Sequence, residues 1–121
     1  MRLVGTILAL SMPIPAAADL YSFDCVFDQF CTRSENCRPT DFRLDYRYDS
    51  TTGKAYLIGN NGIAEVGFFG GDPGFSFFEL LSSGAMQTTT INLSDRSAVH
   101  SRHTIIGLQS SFSQYYGSCR G

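Results

Sequence analysis

Both histidines of the chain fall in one short stretch, Ala98-Val99-His100-Ser101-Arg102-His103-Thr104. Imidazole is the side chain most ready to exchange a proton near neutrality or to hold a metal. His100 and His103 are three residues apart, and on a strand side chains three apart point to opposite faces. No single ion is therefore expected to bind both. Ser101, His103 and an acid could make a nucleophilic trio. Nothing around them resembles a nucleophile elbow, and such a trio arises by chance in a chain of this size. Glu79 is the only acid in an apolar setting, which leaves no carboxylate pair for glycoside hydrolysis. The residues assign no catalytic group, no metal ligand and no cofactor, and the expectation is a non-enzymatic protein.

The element that must carry the histidines is a strand over Ala98 to Ile106, in a hairpin with Met86 to Leu93. If the turn is Ser94 to Ser97, Leu93 faces Ala98, Ile91 faces His100, Thr89 faces Arg102 and Thr88 faces His103. One face then holds Thr89, Ile91, Leu93, His100 and Arg102. The other holds Met86, Thr88, Thr90, Val99, Ser101, His103 and Ile105. Apolar residues nearly balance, so either face could be the core. In both cases one histidine points inward and needs a hydrogen-bond partner, for which Thr and Ser hydroxyls, Gln114, Tyr115 and Tyr116 are the candidates. A polar group at the bottom of a ligand pocket is the functional reading of that histidine. The candidate binding residues are His100, Arg102, His103, Thr88, Gln114, Tyr115 and Tyr116.

Period-two alternation runs through most of the chain. In Asp41 to Asp49, Phe42, Leu44, Tyr46 and Tyr48 alternate with Asp41, Arg43, Asp45, Arg47 and Asp49, giving an aromatic face and a charged one. Tyr21 to Phe27 alternates similarly. Further strands are expected over Lys54 to Gly59, Ile63 to Phe69, Phe75 to Leu81 and Phe112 to Cys119. Ser50 to Gly53, Asn60-Asn61-Gly62 and Gly70-Gly71-Asp72-Pro73-Gly74 form the turns between them. The fold class is all-β, an antiparallel eight-strand meander closing into a small barrel; a two-sheet sandwich is the alternative.

The first residues read as an export signal. Arg2 precedes an apolar run of about ten residues, and Ala16-Ala17-Ala18 offers a cleavage site before Asp19. The run is shorter than the roughly 20 residues of a membrane span. Residues 1–18 are thus a signal peptide and 19–121 one β-domain, periplasmic or secreted. Without Arg2, eight basic residues stand against eleven acidic ones, a balance that excludes nucleic acid as a partner. All four cysteines, Cys25, Cys31, Cys37 and Cys119, follow the cleavage site, and in an oxidising compartment they read as two disulfides. In a closed meander the last strand lies antiparallel to the first, so Cys119 meets the beginning of strand one. Cys31 is about 20 Å further along an extended strand, beyond disulfide reach. The expected pairs are Cys25 with Cys119 and Cys31 with Cys37, the latter flanking a polar loop from Thr32 to Asn36.

The downstream half, with Thr88-Thr89-Thr90-Ile91, the 98–104 stretch and Ser113-Gln114-Tyr115-Tyr116-Gly117-Ser118-Cys119, resembles a group of small exported bacterial proteins of unknown function. The three-cysteine start fits that group, and the resemblance implies export and disulfides. Ser83-Gly84-Ala85 is similar to part of the inhibitory motif of periplasmic C-type lysozyme inhibitors, small eight-stranded domains with a disulfide from the first strand to the chain end. Here the aromatic that follows that motif is missing and the segment before the last Cys is longer. The function expected is a small-ligand-binding module with an apolar ligand inside. A protein-binding or inhibitor module is the alternative, and a hydrolase the third reading.

Overall fold

The computed structural model describes residues 20–32, 36–59 and 61–121. The expected signal peptide lies outside them. Eight strands follow in order: β1 Leu20–Thr32, β2 Asn36–Asp49, β3 Lys54–Gly59, β4 Gly62–Gly70, β5 Gly74–Leu80, β6 Met86–Asn92, β7 Ser97–Ile106 and β8 Gln109–Arg120. Each pairs antiparallel with the next, and β8 returns to pair with β1, so one sheet closes into a barrel. Closure gives every strand two hydrogen-bonded neighbours along part of its length, although the part of β2 before Asp45 pairs with β1 alone and Gly62–Val66 of β4 with β3 alone. The sandwich alternative does not form.

Alternation explains which face each strand buries. Phe23, Cys25 and Phe27 of β1 point inward, as do Tyr46 of β2, Ala55 of β3, Val66 of β4, Phe77 of β5, Ile91 of β6, Ala98 of β7 and Cys119 of β8. Rings fill the space between them. Tyr46 stacks on Phe77 at 4.3 Å between centroids and Tyr48 on Phe68 at 3.8 Å, while Phe23 meets Phe75 and Phe77 edge-on. The pocket bounded by Tyr46, Leu57, Val66, Phe78, Glu79 and Gln87 has no room for a water molecule (0 Å³).

The disulfides join Cys25 to Cys119 and Cys31 to Cys37, as the geometry of a closing meander requires. Each links residues directly opposite across a pair of strands. Gly117 of β8 sits opposite Phe27 of β1 in close backbone approach. A Cβ there would lie 2.0 Å from the Val26 carbonyl oxygen, so only glycine fits beside the irregularity that shifts the β1 register between Phe27 and Gln29.

Two expectations are corrected. The strands reach further toward the Cys31–Cys37 bridge than expected, since β1 runs on to Thr32 and β2 starts at Asn36, while residues 33–35 of the expected loop lie outside the described residues. Pro39 is tolerated there because β2 pairs with β3 only from Asp45 onward, leaving the earlier part bonded to β1 alone. The β6–β7 hairpin is also paired two residues away from the expected register: Ile91 faces Ala98, Thr89 faces His100, Gln87 faces Arg102 and Met86 faces His103. The connection is wider because Asn92 and Asp95 each fold the chain through their side chains. Asn92 Oδ1 accepts from the Ser94 amide, Asp95 Oδ1 accepts from the Ser97 amide, and Arg96 takes positive φ (68°). A shift of two keeps every side chain on its face, so the two faces read from sequence stand.

Candidate functional site

The face of Thr89, Ile91, His100 and Arg102 is the inner one. Its cross-strand rows stack along the barrel. Phe75, Ile91, Ala98, Gly117 and Phe27 form one row; Phe77, Thr89, His100, Tyr115 and Phe30 form the next; Glu79, Gln87, Arg102 and Ser113 form the third. Polarity therefore rises along the interior of β5 to β8.

His100 is 1% exposed, and its partner is Thr89. The Thr89 Oγ1 lies 2.7 Å from His100 Nδ1 and 2.6 Å from the Tyr46 hydroxyl. The assignment that satisfies most groups has Tyr46 O–H donating to Thr89 and Thr89 O–H donating to Nδ1. The ring proton then sits on Nε2, which has no hydrogen-bond partner. The ring lies among Phe27, Phe42 and Tyr115, at centroid distances of 6.0, 5.7 and 5.7 Å, where an N–H can rest on aromatic faces. Burial, then the Arg102 charge, lowers the His100 pKa to about 4. Burial pushes the Tyr46 hydroxyl up to about 12. This relay is thus neutral at ordinary pH.

In the third row Gln87 sits between two charges. Its Nε2 donates to Glu79 Oε1 at 2.6 Å, and its Oε1 accepts from Arg102 Nε and Nη2 at 3.3 and 3.1 Å. Sequence reading left Gln87 unnoticed and Glu79 without a partner. Their signal was available, since Glu79 follows the buried Phe77 by two and Arg102 follows His100 by two.

Of the candidate binding residues, His100, Arg102 and Tyr115 face inward, and His100 and Tyr115 are direct cross-strand neighbours. Thr88, His103, Gln114 and Tyr116 face outward. Tyr116 donates to Gln114 Oε1 at 2.6 Å, and Gln114 donates to Ser101 Oγ at 3.3 Å. The two histidines diverge, and among the described residues no cluster of three metal-ligating side chains forms.

The outer face of β5 to β8 contains no Asp, Glu or Lys, and its only Arg is Arg120 at the end of β8. Ser101 and His103 stand on this face without a carboxylate beside them. At one end a single cross-strand row runs Leu80, Met86, His103, Phe112. Ile105 follows His103 by two residues along the same face and Leu108 lies in the turn at the tip of the β7–β8 hairpin, and Leu80, Ile105 and Leu108 are 73%, 72% and 102% exposed. A hollow of about 430 Å³ lies between Gly84, Met86, His103, Ile105 and Phe112. Gly84, with φ 90°, belongs to the Ser82–Ala85 turn that overhangs it. No helix among the described residues is long and apolar enough to cross a membrane. The two disulfides are compatible with an oxidising extracellular compartment. No family model matches the chain, and neither the curated proteins nor the solved structures contain a match to it.

Proposed function

We propose that this is an exported, non-enzymatic binding module that takes a protein partner on the outside of its barrel. One observation carries the reading: the apolar cluster of Leu80, Met86, Ile105, Leu108 and Phe112 stands exposed at one end of β5 to β8. Burying such exposed side chains against a partner removes apolar area from water at about 25 cal/mol per Å². Aromatic packing inside the barrel supports an outer surface over an interior cavity as the place of binding. In β1 to β4 apolar residues point inward and charged ones outward, the reverse of a membrane-crossing barrel, which supports a water-facing protein. The Ser83-Gly84 turn beside the cluster agrees with the inhibitor-like alternative, and C-type lysozyme is the first partner to test.

The test places a photoreactive residue at Phe112 or, as a control, at Lys54, in cells that export the protein. A single discrete protein adduct is expected from position 112 and none from 54, and Ile105→Asp should abolish it. The same variants are assayed for inhibition of C-type lysozyme. No adduct from 112, or equal adducts from both positions, refutes the reading.

A further inference from the structure

A second concavity lies on the same four strands, toward the opposite end from the apolar cluster, and its chemistry is different. Phe69, Ser76, Thr90 and Val99 form one straight row on the outer face, from β4 across β5 and β6 to β7, and Tyr116 of β8 continues it. The Gly70–Gly74 loop and the β6–β7 connection raise walls around this row, and Pro73 O accepts from the Leu93 amide to tie them together. The groove encloses about 610 Å³ and is lined by Phe69, Pro73, Ser76, Thr90, Asn92 and Val99 among others, none of them charged. That volume falls within the range of about 300–1,000 Å³ for small-molecule sites.

From this geometry we infer that the groove between Phe69 and Val99 is a binding site for a neutral sugar. The inference is independent of the partner proposed for the other end. Phe69 is 74% exposed, a ring held at the groove edge and left open by the described residues, and an aromatic face suits the C–H face of a pyranose. The floor offers hydrogen-bond donors not consumed internally. Ser76 and Thr90 share one bond of 2.8 Å, which uses one hydroxyl proton and leaves the other. Asn92 Oδ1 accepts from both the amide and the hydroxyl of Ser94, which fixes the amide and leaves Nδ2 as a donor. An anionic ligand would find no cation in the lining. An acyl chain would bury these donors unpaired, which is unfavourable. A peptide that adds to the sheet as a strand would need a free edge, and Ser76, Thr90 and Val99 lie where their strands are paired on both sides. A ring with one apolar face and a rim of hydroxyls satisfies all of these constraints together.

The test is a titration of the ¹⁵N-labelled protein with cellobiose and with N,N′-diacetylchitobiose, followed by amide NMR. Hexan-1-ol and glucuronate serve as the apolar and anionic comparisons. Saturable shifts confined to Ser76, Thr90, Asn92, Val99 and their neighbours are expected for at least one disaccharide, with a Kd of about 1 mM. Phe69→Ala should weaken binding about tenfold or more, and so should Asn92→Asp, which keeps the oxygen that Ser94 bonds but removes the Nδ2 donor. Unchanged spectra away from the groove establish that both variants are folded. The inference fails if neither disaccharide perturbs the groove, if both variants bind as the parent does, or if only hexan-1-ol or glucuronate binds.

Discussion

The two halves of the barrel wall distribute polarity in opposite ways. From β1 to β4 the interior is apolar, with Phe23, Phe27, Tyr48, Ala55, Val66 and Phe68 inward. The exterior carries charge at Asp24, Asp41, Arg43, Asp45, Arg47, Lys54 and Glu65. From β5 to β8 charge and imidazole turn inward at Glu79, His100 and Arg102, and the exterior, apart from His103 and Arg120, is left with hydroxyls, amides and apolar groups. The first half faces outward with a ladder of alternating sign, in which Arg47 lies 3.5 Å from Asp24. Where Asp24 faces Asp45 directly, burial and the like charge raise the Asp45 pKa. The second half gives up that solvation. Uncharged outer walls desolvate cheaply, which is what a binding surface needs.

The contrast can be broken most severely at the seam between the halves. Replacing Cys25 and Cys119 together by alanine should cost roughly 4–5 kcal/mol, because the bridge spans 94 residues; urea denaturation measures it. Removing the six-residue Cys31–Cys37 bridge should cost about half as much.

Acid should destabilise the barrel chiefly through the second half. His100 binds its proton at about pH 4 in the folded barrel and near its ordinary value of 6.5 once unfolded. Between those values the unfolded chain holds the extra proton, so stability falls as pH drops from about 6.5 to 4. The loss is on the order of 3 kcal/mol. Denaturation at pH 7 and pH 4.5 should show this slope, and His100→Phe should remove it. A slope unchanged in that variant would place the acid sensitivity elsewhere.

Thr89→Val keeps the volume but strands the Tyr46 hydroxyl and His100 Nδ1, and a loss of about 2–3 kcal/mol is expected in thermal or urea unfolding. The matching change on the charged wall, Arg43→Ala, removes an ion pair to Asp41 whose side chains are largely in water. It should change stability by less than about 0.5 kcal/mol. Equal costs for these two variants would dissolve the distinction between the halves.

The first half was the more legible from sequence because its alternation is also an alternation of polarity. Phe42 through Tyr48 names its own inner face. In β6 and β7 both faces mix apolar and polar groups, so alternation gave two faces without saying which was buried. The register slipped by two because the turn chemistry of Asn92 and Asp95 was not read, while the period of two protected the faces from that error. Residues 28–32 and 36–40 were missed as strand because Pro39 and the polar run around it carry turn-like composition. Their pairing is imposed by β1 and by Cys31–Cys37. The Thr89–His100 contact needed the correct register, and the cysteine pairing needed only closure.

Closure also sets an order of events. β1 is the first strand to be made and the last to be completed, because its second neighbour, β8, follows six further strands. Until β8 arrives, one side of β1 is an unsatisfied edge and Cys25 is a lone thiol beside two others only six and twelve residues away. The small Cys31–Cys37 ring can close as soon as its own hairpin forms, which removes both wrong partners at once. The short bridge thereby guards the long one, keeping Cys25 in reserve for a strand that does not yet exist.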